Sequence, residues 1–268
     1  MKTTLAPLFA AVAAIALTAC GGGAGSSPFE QSPPPAPAPA PTSGPASAPP
    51  PAASAPAPTP PASAPEPAPA PAPACVPLSV VHVAVGGDST NYAIDGSVDL
   101  TTMNWWDPRA RAAHSPEIEL QAIMDAQFGP GVVEVKNYAV PGSTAAMWAD
   151  QANDAEVKLE NWGINDKQGG YPLNVYAANI LAWKPTIVAT QYPAALGDPR
   201  EDGYVATVRG LGLPVADSYA YIKSLPNWQS YYPNPASGHV TDELTKMIVD
   251  NVQAPLVTAQ VKKLLCMN

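Results

Sequence analysis

Residues 79–90 read Ser-Val-Val-His-Val-Ala-Val-Gly-Gly-Asp-Ser-Thr. The β-branched run Ser79–Val85 suits a pleated strand, and Gly86-Gly87 ends it. Working outward, strand-like and helix-like patterns alternate. Pro116–Phe128 has helical spacing in Ile118, Leu120, Ile123, Met124 and Phe128, with Ser115 as the expected N-cap and Pro116 at the first helical position. Strands are expected at Val132–Val140, Glu156–Trp162, Thr186–Gln191 and Leu213–Asp217. Helices are expected at Ala145–Ala152, Asn174–Trp183, Gly203–Leu211 and Thr241–Leu265, the last kinked at Pro255. Such alternation predicts an α/β fold with helices on both faces of a five-stranded parallel sheet, a three-layer α/β/α arrangement. In sheets of this kind the reacting groups gather beyond the carboxyl ends of the strands.

The rest of the chain is different. Of 35 prolines, 22 fall in residues 1–77, and only Lys2, Glu30 and Glu66 carry charge there. The chain therefore divides into a tail and a domain of about 190 residues, enough for one sizeable core. A net charge of −9 without any basic run speaks against nucleic-acid binding. After residue 20 no stretch approaches the length of apolar sequence that a spanning helix needs.

Residues 1–19 read as an export signal: Lys2, then a short apolar run from Leu5 to Leu17. Leu17-Thr18-Ala19-Cys20, followed by Gly21–Gly23, closely resembles a bacterial lipobox. That resemblance implies lipidation at Cys20 and anchoring to a bilayer, and glycine at position 21 favours the outer membrane of a Gram-negative cell. Residues 20–77 carry the anchor and a linker. The Ala/Pro tract 28–74 has too little apolar surface to fold and favours polyproline II. At roughly 3.1 Å per residue it could hold the domain, residues 78–268, up to roughly 150 Å from the membrane.

Four blocks follow expected strands or precede the last helix: Gly87-Asp88-Ser89, the segment Asn137–Thr144 containing Gly142, Gly163-Ile164-Asn165-Asp166, and Ser237-Gly238-His239. Their order resembles the SGNH (GDSL-type) hydrolase family, across residues 79–252. The resemblance implies a flavodoxin-like fold and a carboxylic-ester hydrolase acting without cofactor or metal. Ser89 would be the nucleophile and His239 the base, because a hydroxyl needs a neighbouring base to react. The Ser89 and Gly142 N–H groups and the Asn165 side chain would form the oxyanion hole. Asp88 and Asp166 would orient their loops.

One departure stands out. The family's usual acid, three residues before the histidine, is Ala236 here, and Asp242 lies at the start of the terminal helix and is expected to point elsewhere. Two readings follow: an esterase working with a Ser–His dyad or a substitute acid, or a non-catalytic binding relative on the same fold. The form Gly-Asp-Ser-Thr of the first block and the tether lean towards a monomeric acetylesterase acting on carbohydrate esters.

Other residues have plainer readings. His82 is expected within the core or on a sheet face, and His114 as a solvated loop residue. Trp105 and Trp106 are either a substrate platform or core. Trp228, Tyr231 and Tyr232 are candidates for lining a sugar or acyl site. No Gly-x-Ser-x-Gly elbow, nucleotide loop or zinc motif is present. Cys75 and Cys266 bracket the domain, and in an exported protein a disulfide between them is expected in preference to two free thiols.

Overall fold

The computed structural model describes residues 75–105, 107–148 and 154–267. Cys20, the Pro/Ala tract, Trp106 and residues 149–152 of the expected helix Ala145–Ala152 lie outside them. Five strands, β1 (Val81–Gly87), β2 (Val133–Asn137), β3 (Val157–Asn161), β4 (Ile187–Ala189) and β5 (Val215–Ala216), form one sheet in the order β2-β1-β3-β4-β5. Every neighbouring pair is parallel. This is the flavodoxin-like order of an open α/β sheet.

Alternate residues of the strands feed two cores. Val81, Val83, Val85, Val157 and Leu159 face the helices α2 (Pro116–Phe128) and α9 (Ala254–Leu264), meeting Leu120, Met124, Val257 and Val261. Ala84, Val188 and the following Trp162 face α3 (Ala145–Trp148), α5 (Leu173–Ala182) and α6 (Glu201–Arg209), meeting Ala145, Tyr176, Ile180, Tyr204 and Val208. A strand buried on both faces is what a parallel sheet requires. Each such fully buried aliphatic side chain contributes roughly 1.5–3 kcal/mol.

The elements differ from expectation in instructive ways. Short helices α1 (Ser89–Tyr92), α4 (Ile164–Gln168) and α7 (Ser218–Ser224) were not expected, being too short to show a period. The terminal helix is α8 (Asp242–Ile248), a π turn over Val249–Gln253, and α9. The interruption thus comes before Pro255, which sits in the first turn of α9, where a missing N–H is tolerated. Helix α2 starts at Pro116, but Ser115 does not cap it by its side chain: its hydroxyl donates to Glu117 Oε1 at 3.0 Å. Cys75 and Cys266 form a disulfide with Cα atoms 5.8 Å apart, tying the start of the domain to the end of α9.

The strand order runs from β1 to β2 on one side and to β3 on the other. The crevice beyond the carboxyl end of β1 is therefore the switch point at which ligands bind in sheets of this type.

Candidate active site

Gly87 ends β1 with φ +138°, and a Cβ there would come within 2.2 Å of the Asn161 carbonyl oxygen on β3. Only glycine lets the chain turn this tightly against its neighbour. Asp88 then caps α1, its Oδ1 accepting from the Thr90 N–H at 2.9 Å and the Thr90 hydroxyl at 2.7 Å. Ser89 is consequently presented at the first position of α1, almost fully buried, with its N–H facing no acceptor among the described residues.

The second block is tied to the first. The Val140 N–H and the Ser143 hydroxyl both donate to the Gly87 carbonyl oxygen, at 2.9 and 3.0 Å. Gly142, with φ +78°, is exposed, and its N–H also lacks an acceptor among the described residues. The third block is tied to the second. Asn165 Nδ2 donates to the Ser143 carbonyl oxygen at 2.9 Å, which spends one of the two amide hydrogens and leaves the other. Asp166 accepts from the Ala145 N–H at 3.1 and 3.2 Å. Asp88 and Asp166 thus accept hydrogen bonds from the loops that carry the first and second blocks.

The fourth block closes on the first. His239 Nε2 lies 2.9 Å from Ser89 Oγ, although 150 residues separate them. His239 is almost fully buried, and burial alone pushes its pKa down to about 4. Its Nδ1 is buried without a hydrogen-bond partner among the described residues. Ala236 is exposed at the rim. Asp242 points elsewhere, as expected: its carboxylate accepts from the His114 N–H at 2.7 Å and meets His114 Nδ1 at 2.5 Å. His114 is therefore not merely a solvated loop residue; it is half-buried and paired.

Ser89, His239, Gly142 and Asn165 together line a cavity of about 290 Å³, with Trp105, Gln168 and Ser237 at its edge. The same three edge residues also line an adjoining groove of about 630 Å³, with Asp99, Thr101 and Asn234. Of the two readings open for Trp105, core is excluded: it is 42% exposed and lines both the cavity and the groove. Trp228, Tyr231 and Tyr232 are not: they pack with Ile222, Val240 and Leu244, and none lines the cavity or the groove. His82 is a sheet-face residue, exposed on β1 and bonded to Glu156 at 3.2 Å.

Three buried carboxyls lie under these loops. Burial, as the largest cause, raises the pKa of Asp88 to about 7 and of Asp166 to about 6. Glu160, on β3, is raised well above the ordinary carboxylate range by burial and then by Asp166, and neither of its oxygens has a partner among the described residues.

No family model and no curated protein sequence matches the chain. Solved structures do. A lipase/acylhydrolase from Enterococcus faecalis superposes with a TM-score of 0.51 at 16% identity, over 68% of this chain and 96% of that one. A psychrotrophic esterase from a Pseudoalteromonas species matches with a TM-score of 0.47 at 14% identity, over 69% of this chain and 98% of that one. An acetylxylan esterase from Geobacillus stearothermophilus matches with 0.45 at 16%, over 69% and 96%. The chain has the SGNH-hydrolase fold.

On this fold residues of all four blocks line one cavity. Two participants carried little advance signal. Ser143 bonds forward through its carbonyl and back through its hydroxyl, so it couples three blocks. Thr90 locks Asp88 twice. A hydroxyl directly after a motif residue was the only hint of either.

Proposed function

We propose that residues 78–268 are a serine esterase. The observation that carries this reading is the 2.9 Å contact of Ser89 Oγ with His239 Nε2 in a cavity also lined by Gly142 and Asn165. In the mechanism, Ser89 Oγ attacks the ester carbonyl carbon while His239 Nε2 takes its proton. The carbonyl oxygen becomes an oxyanion facing the free N–H groups of Ser89 and Gly142 and the remaining amide hydrogen of Asn165. Collapse breaks the C–O bond, and His239 returns the proton to the departing alkoxide. Water then repeats the sequence on the acyl-serine, with His239 as base, and releases the acid.

The substrate we favour is a short acyl ester of a carbohydrate. The small cavity at Ser89 suits a short acyl group. The larger groove beside it, bearing an indole and the polar side chains of Asp99, Thr101 and Asn234, suits a polyhydroxy alcohol. Lipidation at Cys20 and a Pro/Ala spacer would place this esterase on the cell envelope; radiolabelled palmitate incorporated by the wild type and not by Cys20→Ser is the expected result.

The decisive assay is hydrolysis of p-nitrophenyl acetate by residues 75–268 and by Ser89→Ala. Turnover that depends on Ser89 supports the esterase; equal rates sink it. The unpartnered His239 Nδ1 keeps a second reading in play, a binding protein on the same fold. Carbohydrate binding without Ser89-dependent turnover would favour it.

A further inference from the structure

An imidazole that serves as base has to be kept turned towards the hydroxyl, a task usually given to a carboxylate on the other ring nitrogen. Among the described residues no carboxylate does so. Ala236 has none to offer, and Asp242 is engaged by His114. The ring contact that His239 does make is with Trp105: the centroids are 5.1 Å apart with the planes tilted by 59°.

Trp105 belongs to the irregular segment 93–115, which is fastened to the chain immediately after the histidine. The Gly96 N–H donates to the Val240 carbonyl oxygen at 2.8 Å. The approach there is so close that a Cβ on residue 96 would stand 2.3 Å from the His239 carbonyl oxygen. At the far end, the His114 N–H and ring meet the Asp242 carboxylate. The segment is also closed on itself by the antiparallel bridge of Ile94 with Arg111 and by the Asp107 N–H donating to the Asn104 carbonyl oxygen. The carboxylate nearest in sequence to the histidine thus secures the strap that carries the indole.

We infer that Trp105 is a positioning residue: its indole, strapped against the His239 ring, holds the imidazole towards Ser89 in place of the absent acid. This rests on the esterase reading. The indole limits rotation of the ring by packing. At this separation it also lies within the ~6 Å over which an aromatic ring attracts a cation, so it favours the imidazolium formed as Ser89 attacks. A residue that only held substrate would act through binding, whereas Trp105 acts through the base.

The test uses residues 75–268 as wild type, Trp105→Ala, Trp105→Phe and Ser89→Ala, with p-nitrophenyl acetate, a substrate too small to need the groove. Trp105→Ala is expected to lower kcat about tenfold or more, a part of the ~100-fold or greater effect of a well-placed base, with little change in KM. Trp105→Phe is expected to restore most of the rate. In nitrogen-15 spectra of the His239 ring, the wild type should show one tautomer and Trp105→Ala a mixture. A loss confined to KM, or an unchanged kcat with an unchanged ring spectrum, would overturn the proposal. If hydrolysis proves independent of Ser89, the esterase reading falls, and the ring spectra still decide whether Trp105 holds His239. Trp105 is partly exposed, so its replacement should leave the fold intact; should Trp105→Ala unfold, Trp105→Leu gives the same comparison.

Discussion

His239 offers one ring nitrogen to Ser89 at 2.9 Å and keeps the other buried without a partner among the described residues. Burial without a compensating carboxylate favours the neutral ring, and the pKa falls to about 4. The neutral ring is the working base. Activity should therefore persist through pH 5 and decline only as the pH drops through about 4, where the ring takes a proton. In a His–acid arrangement the decline would come near the ordinary histidine value, about 6.5. A pH profile of kcat/KM for p-nitrophenyl acetate checks this. A decline centred near pH 6.5 would mean that a charge or water reaches Nδ1.

Asn165 is held by the Ser143 carbonyl oxygen at 2.9 Å, so its remaining amide hydrogen is aimed without further ordering when charge develops. Asn165→Ala should lower kcat roughly 100- to 1,000-fold with little effect on KM, since the interaction forms with the oxyanion. Asn165 is only partly buried, and unfolding transitions should barely move. Steady-state kinetics beside a thermal melt separate the two effects.

These predictions draw on residues of unequal legibility. Ser89, Gly142, Asn165 and His239 were readable because each lies at a strand exit or before a helix, where short-range pattern and motif coincide. The partnership of His114 with Asp242 was not, because it joins positions 128 apart and His114 belongs to no periodic element. Trp105 sits in a segment with no helical or strand period, so nothing local distinguished wall from core. Trp228, Tyr231 and Tyr232 misled for the converse reason. They precede the histidine in sequence, but the turn at Trp228–Tyr231 directs them into the cluster around Ile222 and Leu244. The π turn over Val249–Gln253 has no local signature, since the only breaker in this stretch is Pro255, which lies after it.

The disulfide should contribute stability without touching chemistry. It joins residues 191 apart in sequence, and Leu78 near its one end donates to the Leu264 carbonyl oxygen at 3.1 Å. Closing a loop of that length corresponds to about 5 kcal/mol in the chain-entropy model. Cys75 precedes the start of β1, while Ser89 follows its end. Cys75→Ser combined with Cys266→Ser should lower the urea midpoint strongly and leave kcat at 25 °C unchanged within about twofold, a range set by the small effects usual for distant sites. A kcat loss matching the loss of stability would show that the termini govern the site after all.

Glu160 makes alkaline pH costly. Its side chain is buried on β3 with both oxygens unpartnered among the described residues, and Asp166 adds like charge, so it holds its proton far above the ordinary range. The unfolded chain loses that proton near pH 4.5. Above that value the unfolded state binds fewer protons than the folded one, so stability falls as pH rises towards the folded-state pKa. Asp88, raised to about 7, contributes in the same direction between its ordinary value and pH 7. Glu160→Gln keeps the shape and cannot ionise. Its melting temperature should be close to that of the wild type at pH 4.5 and higher at pH 8, the gap widening with pH. Equal slopes of melting temperature against pH in the two proteins would show that Glu160 is ionised in the fold and paired through groups, such as bound water, that compensate its charge.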